Sequence, residues 1–542
     1  MGVAYNSRII TDGLVLALDA ANNKSILSTV EVLVVAGGGG GGMDMGGGGG
    51  GGGVIYSSAV SITPGSAITA TVGNGGVGAP AGSTNGQPGS HQFTISATQG
   101  GNSVFGALTA IGGGFGASSY YGYLPNYGYG GTGGSGGGCS GYTHGGERYV
   151  DGTNGSTANN TAGQGFVGGN SGNPSSGGDD HYSGGGGGAG GRGTSGPNHI
   201  GPNGIRGDGG SGVLYPSMSP YYFAGGGGGS GYSGNGGYGG IGGGGGGSAS
   251  NGNVGLAGTG GINIGSNGSS GNNAPGGNAG ANTGGGGGGG SHYNANNKGG
   301  DGGSGIVIVR YPGSQRATGG TVTSVGGYTI HTFTTSGTFT PTWGDMSTNG
   351  NTGTLTNGPT YSSANGGSLV FDGTDDYILG TIPSSIFSGA HSIGCWFYRE
   401  TVTEWAGLFS NNVNTTSCSI FTFISTSNSL GTNQAGVDGT SISVDLGADH
   451  LNKWIYAVIT YAGVTSGSAV NVYAYKNGSL LTATGSLYWN LSSSSSYYIG
   501  RHWTSASQIL DGFIPQVSVY NRALTAAEVS QNFNALRGRF GI

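Results

Sequence analysis

The stretch VEVLVVAGGGGGGMDMGGGGGGGGVIY, residues 30–56, places a short apolar segment before a run of glycine that is broken only by Met43, Asp44 and Met45. The apolar, β-branched segment is typical of a β-strand. Glycine loses more conformational freedom on folding than any other residue. A long glycine run is therefore either a flexible linker or a structure packed so closely that it admits no side chain. The rest of the sequence is needed to distinguish the flexible linker from the closely packed structure.

Glycine is concentrated in one part of the chain. The sequence has 542 residues and 136 glycines, of which 105 lie between residues 37 and 310. Charged residues make up 7% and the net charge is −6, so the high net charge that keeps many low-complexity segments unfolded is missing. No basic patch for nucleic acid is present either. The two compositions predict two architectures.

From Trp343 onward, short strand-like segments alternate with turn signals, which predicts an antiparallel β-sandwich. In HSIGCWFYRE, residues 391–400, Ile393, Cys395 and Phe397 fall on one face, which predicts a half-buried strand with Cys395 in the core.

Local signals add a hairpin and a helix to this sandwich. The dipeptide Asn477-Gly478 predicts a tight hairpin turn. Thr525 and Glu528 have the spacing of a capping box, which predicts one short helix near the C-terminus.

Two segments of this part carry a family resemblance. TWGDMSTNGNTGTLTNGPTYSSANGGSLVFDGTDDYI, residues 342–378, and VSVYNRALTAAEVSQNFNALRGRF, residues 517–540, resemble the laminin-G-like, concanavalin-A-like jelly-roll modules common in phage and marine bacterial surface proteins. In such modules a first strand like GLVLALDAAN, residues 13–22, runs almost directly into the segment at Trp343. The resemblance therefore implies that a second domain interrupts the jelly roll.

The implied boundaries are a discontinuous jelly roll of residues 1–27 and 341–542, with an inserted domain of residues 28–340. Insertion in an exposed loop is tolerated when its two ends lie close together. We expect the ends of the insert to pair as a stalk of strands, with a glycine bundle beyond them. The stalk strands are predicted at 28–36, 304–311 and 328–339, and the bundle at 37–303.

Three interpretations compete for the glycine-rich residues. A flexible linker would be rich in serine and would rarely be this long between two halves of one fold. Collagen requires glycine at every third position and much proline, whereas the chain has only 15 prolines. The third interpretation is a packed bundle of polyglycine II helices that satisfy one another's backbone hydrogen bonds. In composition and flanks, the insert resembles the glycine-rich adhesins at phage fibre tips.

Tyrosine-rich segments separate the glycine runs. Tyrosine among glycine, serine and asparagine is typical of adaptable binding loops, although the same rings could cap the bundle or pack on its sides. The candidate receptor-binding residues are Tyr120, Tyr121, Tyr123, Tyr127, Tyr129, Tyr142, His144, Arg148, Tyr149, Tyr221, Tyr222, Phe223, His292 and Tyr293.

Evidence for catalysis is weak. Glycoside hydrolases use two carboxylates that face each other across a cleft, and Glu400 and Glu404 flank a loop that could bracket a sugar. A solvated strand end explains them as well. The sequence thus predicts a protein that is not an enzyme, with no catalytic residue.

No cofactor is predicted. Asp372, Asp375 and Asp376 offer the hard oxygen ligands that Ca²⁺ prefers, but an Asp-Gly turn with solvated carboxylates accounts for them more simply. The three cysteines, Cys139, Cys395 and Cys418, have neither disulfide nor metal-ligand spacing and are interpreted as free thiols.

The predicted fold class is mostly β: an antiparallel jelly-roll sandwich with an inserted polyglycine II bundle and one short C-terminal helix. The resemblance implies a bacteriophage virion surface protein, made in the host cytoplasm, that attaches to a host glycan or outer-membrane protein. Other virion proteins would be partners, membrane insertion is not expected, and a homotrimer is left open. A decoration protein of the capsid or tail without a receptor is the alternative, followed by a polysaccharide-degrading enzyme.

Overall fold

The computed structural model describes residues 8–22, 25–81, 97–118, 128–141, 160–171, 182–196, 207–232, 234–292, 297–347, 349–403, 405–411, 420–424, 429–434, 441–447, 450–463, 469–481, 487–488, 495–502 and 508–542. The strands up to residue 343 are β1 (Leu14–Asp19), β2 (Thr29–Val35), β3 (Val54–Ser61), β4 (Ile68–Thr71), β5 (Ser103–Phe105), β6 (Leu108–Ala110), β7 (Val213–Leu214), β8 (Tyr222–Phe223), β9 (Ile306–Pro312), β10 (Ala317–Thr318), β11 (Thr321–Val325), β12 (Tyr328–Phe333) and β13 (Gly337–Trp343).

The strands that follow are β14 (Gly353–Thr356), β15 (Thr360–Ser362), β16 (Ser368–Asp372), β17 (Tyr377–Thr381), β18 (His391–Arg399), β19 (Ala406–Asn411), β20 (Ile420–Ile424), β21 (Ser429–Gln434), β22 (Ser441–Asp445), β23 (Trp454–Ala462), β24 (Ala469–Lys476), β25 (Ser479–Leu481), β26 (Leu487–Tyr488), β27 (Ser496–Ile499) and β28 (Asp511–Tyr520). One α-helix, α1 (Ala526–Leu536), and 3₁₀ turns at Ala364–Gly366, Ser384–Ser388 and Arg537–Phe540 complete the described elements.

Two antiparallel sheets form a sandwich around the largest apolar core. One has the order β15-β16-β28-β18-β23-β24-β25, with β1 also paired to β28 and β26 to β24. The other runs β22-β21-β20-β19-β27-β17-β14-β13-β4-β5-β6, with β10 paired to β13. The protein is thus mostly β with antiparallel sheets and one short C-terminal helix, as predicted.

The first strand of the chain belongs to the C-terminal sandwich. β1 pairs antiparallel with β28, so that Leu18 lies opposite Val517. The predicted domain boundary at residue 341 falls inside β13, because the first residues of β13 pair with β4 and its last residues pair with β14. One strand is therefore shared between the sandwich and the segment inserted in it.

β18 differs from the half-buried strand that was predicted. Ile393, Cys395 and Phe397 lie in the sandwich core as expected. Trp396, on the other face, is also buried, because Phe533 of α1 and Phe540 of the turn after it stack on its indole ring. The prediction missed this layer because a face covered by one helix has the same alternation as a solvated face.

The helix and the hairpin follow their sequence signals. At the start of α1, the Thr525 side chain accepts a hydrogen bond from the Glu528 N–H, and the Glu528 carboxylate accepts one from the Thr525 N–H, which confirms the capping box. Asn477 and Gly478 take positive φ and connect β24 to β25. No helix in the described ranges is long and apolar enough to cross a bilayer.

The inserted segment begins with a five-stranded antiparallel sheet of order β11-β12-β9-β2-β3. β2 pairs with β9, so that Leu33 lies opposite Ile308, and β12 pairs with the other edge of β9. β2, β9 and β12 lie where stalk strands were predicted, but the predicted strand 328–339 ends at Phe333, and residues from Gly337 onward belong to β13 of the sandwich sheet. β2, β3 and β9 each continue into a glycine segment, and we call this five-stranded sheet the stalk sheet.

Beyond the stalk sheet, extended glycine segments lie side by side and exchange backbone hydrogen bonds. Within residues 37–42, N–H groups three residues apart donate to the same neighbouring segment. The donor-to-acceptor pairs are Gly37 to Gly101 and Gly40 to Thr98, Gly38 to Gly303 and Gly41 to Gly300, Gly39 to Gly50 and Gly42 to Gly47. A repeat of three residues is the one that polyglycine II helices require.

The carbonyl groups of the same residues accept from three further segments. The acceptor-from-donor pairs are Gly37 from Gly113 and Gly40 from Gly116, Gly38 from Gly76 and Gly41 from Ala79, Gly39 from Gly287 and Gly42 from Gly290. The segment therefore touches six others, and its buried backbone groups find partners without a β-ladder.

Close packing explains why these segments are glycine. A Cβ built on Gly41 would lie 2.0 Å from the carbonyl oxygen of Gly288, and one on Gly48 would lie 2.0 Å from that of Gly227. At outer positions, side-chain oxygens replace a missing neighbour: Asp208 accepts from the Tyr238 N–H and Asp301 from the Gly78 N–H. These side-chain oxygens satisfy backbone N–H groups at the outer surface of the glycine bundle, where no further described glycine segment is present.

The described cysteines are buried free thiols. Cys395 lies in the core of the sandwich, as predicted, and burial raises the pKa of its thiol far above the usual range. Cys139 is buried in the glycine bundle. Cys418 lies outside the described residues.

Candidate functional site

The glycine bundle has two different ends. Residues 37–42 lead away from the stalk sheet and residues 46–53 lead back to it, with hydrogen bonds between the two segments. The turn at Met43, Asp44 and Met45 therefore lies at the end farthest from the stalk sheet. We call this the distal end, and the end beside the stalk sheet the proximal end.

Several long connections between glycine segments meet the bundle at the distal end. Four of the described residues beside these connections contact the distal turn directly. The contacts are Ser118 Oγ with the Met43 N–H, the Gly141 N–H with the Met45 carbonyl, the Ser183 hydroxyl with the Met45 carbonyl, and the His292 ring with the Asp44 carboxylate. The connections after Ser118, Gly141 and His292, and the one before Ser183, start or end here.

Most of the predicted receptor-binding residues fall in these connections and lie outside the described residues: Tyr120, Tyr121, Tyr123, Tyr127, Tyr142, His144, Arg148, Tyr149 and Tyr293. Of the described ones, His292 lies at the distal turn. Tyr129 follows Gly128, whose carbonyl accepts from the Ser140 N–H close to that turn. The predicted role of these residues as receptor contacts stays a prediction.

The predicted residues at 221–223 lie elsewhere. Phe223 is fully buried and packs with Leu33, Val35 and Ile306 at the proximal end, so its ring cannot contact a receptor. The Tyr222 N–H donates to Gly260 near the same end. The prediction grouped these residues with the distal ones because composition alone does not tell at which end a connection lies. We correct it: Phe223 is a core residue of the insert.

The distal turn is locally constrained. Asp44 and Met45 both have φ of 52°, a left-handed conformation that costs a residue with a side chain about 1–2 kcal/mol. Asp44 Oδ1 lies 2.8 Å from His292 Nδ1, and the rings of Tyr232 and His292 are almost perpendicular with centroids 5.1 Å apart. Strained backbone of this kind is often found at functional sites.

Asp44 and Tyr232 were not among the predicted site residues. The signal for Asp44 is visible in the sequence, because this carboxylate interrupts two glycine runs at the point where the chain must turn. Tyr232 has no comparable signal, since its proximity to His292 depends on how segments 60 residues apart pack together.

The carboxylates suggested for catalysis do not form a described pair. Glu400 is exposed after the end of β18, where its N–H donates to the Asp511 carbonyl. Glu404 lies outside the described residues. The prediction that the protein is not an enzyme stays a prediction.

The acidic cluster after β16 forms the predicted turn at Asp372, but only Asp375 is solvated as predicted, because Asp376 is buried. Oxygens of Asp372, Asp375 and Asp376 lie within 4.8 Å of one another. Asp372 Oδ1 accepts from the Thr374 N–H, and Asp376 Oδ2 accepts from the Asp372 N–H. Because these oxygens already serve the turn, the cluster gives no independent sign of a cation.

Asp376 is expected to make stability depend on pH. Burial, with a smaller contribution from the charges of Asp372 and Asp375, raises its pKa to about 6. The folded state therefore binds this proton more tightly than the unfolded state, and stability falls as pH rises from about 4 to about 6. Asp376→Asn should melt at a higher temperature than the wild type at pH 7 and at the same temperature at pH 4.

Differential scanning calorimetry at the two pH values measures this effect, with exposed Glu400→Gln as the matched control. Equal melting temperatures of the wild type and Asp376→Asn at pH 7 would contradict it. Calcium chloride that raised the melting temperature of the wild type but not that of Asp376→Asn would show that the cluster holds a cation.

One family model matches part of the sandwich. Residues 372–530 match the concanavalin A-like lectin/glucanases superfamily. The match covers strands β17 to β28 and the start of α1, which form the larger part of the sandwich described above. The protein thus contains a concanavalin A-like domain, whose fold the jelly-roll resemblance had predicted. A search of curated proteins finds no match.

Solved structures match part of this chain at low similarity. The binding domain of botulinum neurotoxin DC in complex with SialylT has 14% identity and a TM-score of 0.29, over 36% of this chain and 48% of that chain. Trypanosoma rangeli sialidase in complex with a difluoro-KDN has 14% identity and a TM-score of 0.30, over 36% and 31%. The matches therefore span about half, or less, of those proteins.

Proposed function

We propose that this protein is a bacteriophage virion surface protein that attaches the particle to its host. In this proposal the receptor, a cell-surface glycan or outer-membrane protein, contacts the distal end of the glycine bundle, and no catalytic step is involved. The observation that carries it is the arrangement of the ends: Ser118 and Ser183, described residues next to connections of the glycine segments, contact the distal turn, whereas the stalk sheet adjoins the proximal end.

The physical properties of the bundle suit such a role. Backbone hydrogen bonds to six neighbours hold residues 37–42 in place, so a contact at the distal end is carried on a stiff support. Tyrosine gives a large contact area at a low entropic cost. Contacts that are weak singly become effective when many copies act on one particle. The sandwich would then dock on other virion proteins.

Two tyrosines at opposite ends of the insert provide a matched test. Tyr232 lies beside His292 at the distal end, and exposed Tyr221 lies in the proximal connection between β7 and β8. We expect Tyr232→Ala to lower binding of the fluorescently labelled full-length protein to bacterial cells at least tenfold. Tyr221→Ala should leave it within twofold. Flow cytometry over a panel of bacterial strains measures the binding.

Three outcomes would contradict the proposal. Absence of binding to every strain, together with tight binding to purified phage particles, would favour a decoration protein. If Tyr232→Ala and Tyr221→Ala lost cell binding equally, the distal end would not be the receptor contact. Release of reducing sugar from surface polysaccharide by the purified protein would favour the enzyme.

A further inference from the structure

A second candidate site lies on the sandwich, away from the glycine bundle. On β17 and β27, Ile378, Tyr497 and Ile499 point into the core and are fully buried. The alternate residues Tyr377 and Tyr498 therefore point to the opposite face, and both are half-buried. Their rings lie 5.9 Å apart between centroids. The outer face of the sheet thus carries a tyrosine pair.

Arg501 places its guanidinium beside this pair. Its Cζ atom lies 4.5 Å from the centroid of the Tyr377 ring and 5.6 Å from that of the Tyr498 ring. Among the described residues, no carboxylate forms an ion pair with Arg501, and its Nε atom is buried without a hydrogen-bond acceptor. By contrast, Arg522 pairs with Glu528 and Arg539 with Asp19. Nε has almost no solvent exposure and therefore no room for an added oxygen, so an anion would bind the terminal nitrogens of Arg501, for which no described residue provides an acceptor.

The backbone holds Arg501 in a fixed place. The Ser410 hydroxyl donates to the Arg501 carbonyl, and Arg501 forms an antiparallel bridge with Ile509. Gly407, beside a bulge in β19, approaches so closely that a Cβ there would lie 2.4 Å from the Arg501 carbonyl oxygen. Bulges often serve to direct a side chain towards a functional site. The position of the guanidinium is therefore set by the sheet.

The local charge selects the type of anion. One arginine supplies a single positive charge. The neighbouring His502 stays neutral at pH 7, because burial and the charge of Arg501 lower its pKa to about 4. A planar guanidinium matches carboxylate and phosphate alike in a bidentate geometry, but protein sites that recognise phosphate usually combine several cations. The site thus fits one carboxylate.

We propose that Arg501, Tyr377 and Tyr498 form a subsite for the carboxylate of an acidic sugar, such as a uronic acid unit of a polysaccharide. The guanidinium binds the carboxylate, and the tyrosine rings lie against the sugar. Neither tyrosine hydroxyl bonds to another described residue, so both are free to contact sugar hydroxyls. This subsite is independent of the contact proposed for the distal end of the glycine bundle.

Isothermal titration calorimetry of the full-length protein with trigalacturonate tests the subsite. The fully methyl-esterified trimer is the matched ligand control, because it keeps the sugar and loses the charge. We expect the wild type to bind the acidic trimer at least tenfold more tightly than the ester. Arg501→Lys should weaken this binding at least tenfold, since lysine lacks the planar fork.

Arg537→Gln is the matched protein control, since Arg537 stands at the end of α1 over the Phe533 ring, and it should leave the affinity unchanged. Melting temperatures identify any variant that is unfolded. The double variant Tyr377→Phe/Tyr498→Phe keeps both rings and removes only the hydroxyls. Equal binding of the ester, an unchanged Arg501→Lys affinity, or no wild-type binding at 10 mM trimer, about the limit for one weak subsite, would overturn the proposal. Phosphate that bound more tightly than the trimer would also overturn it.

Discussion

Gly49→Ala is expected to destabilise the inserted segment by more than about 3 kcal/mol, because the new methyl group has no space. A Cβ at Gly49 would lie 2.1 Å from the carbonyl oxygen of Gly39. That oxygen already accepts from the Gly287 N–H, and the Gly49 N–H donates to Gly287 in turn. No single segment can move aside without breaking hydrogen bonds to the others.

Calorimetry and limited proteolysis with mass spectrometry measure this change. In the wild type, residues 37–310 should survive as one resistant fragment, nicked only at connections, whereas Gly49→Ala should be cut within the glycine segments. Gly389→Ala is the matched control, since its Cβ position has no atom of another described residue within 4 Å, apart from its two chain neighbours. If Gly49→Ala melted like Gly389→Ala, the glycine segments would be a loose tether, as the linker interpretation holds.

The close packing around Gly49 was foreseeable from the sequence, but the contacts of each glycine were not. Long glycine runs without strict collagen periodicity, with apolar strand-like flanks, leave few other structures that satisfy the backbone. Which run lies beside which depends on the path of the chain. Gly39, for instance, bonds to Gly50 and to Gly287, which are 11 and 248 residues away, and nothing in a uniform run marks that choice.

Because the path of the chain is not visible in the sequence, the positions of the candidate site residues were only partly predictable. His292 and Phe223 both stand beside tyrosine among glycines, yet His292 lies at the distal turn and Phe223 is buried at the proximal end. Each residue adjoins a glycine segment, and whether that segment runs towards or away from the stalk sheet decides at which end of the bundle the residue lies. The sandwich was more predictable, because β1 and the strands after Trp343 carry apolar alternation and turn residues of their own. The aromatic layer over Trp396 was missed, since it requires knowing where α1 packs.

Asp345→Asn is expected to destabilise the sandwich by about 3 kcal/mol or more, since Asp345 is buried and accepts three backbone hydrogen bonds. Its Oδ1 accepts from the N–H groups of Ala17 and Ser347, and its Oδ2 from the N–H of Asn351. An asparagine amide would turn its NH₂ group towards one of these donors. Calorimetry measures the loss, with exposed Asp375→Asn as a control that should stay within about 0.5 kcal/mol of the wild type.

The contact of Asp345 with Ala17 spans 328 residues of sequence and joins β1 to the chain that returns from the insert. Gly344 reinforces it, because its N–H donates to the Ser25 carbonyl. Two halves of one sandwich are thus held together where the insert leaves and re-enters. In proteolysis of Asp345→Asn, the glycine segments should stay resistant while the sandwich becomes susceptible, since the bundle keeps its own hydrogen bonds. If the glycine segments and the sandwich lost their protease resistance together, the shared strand β13 would make the two parts one cooperative unit.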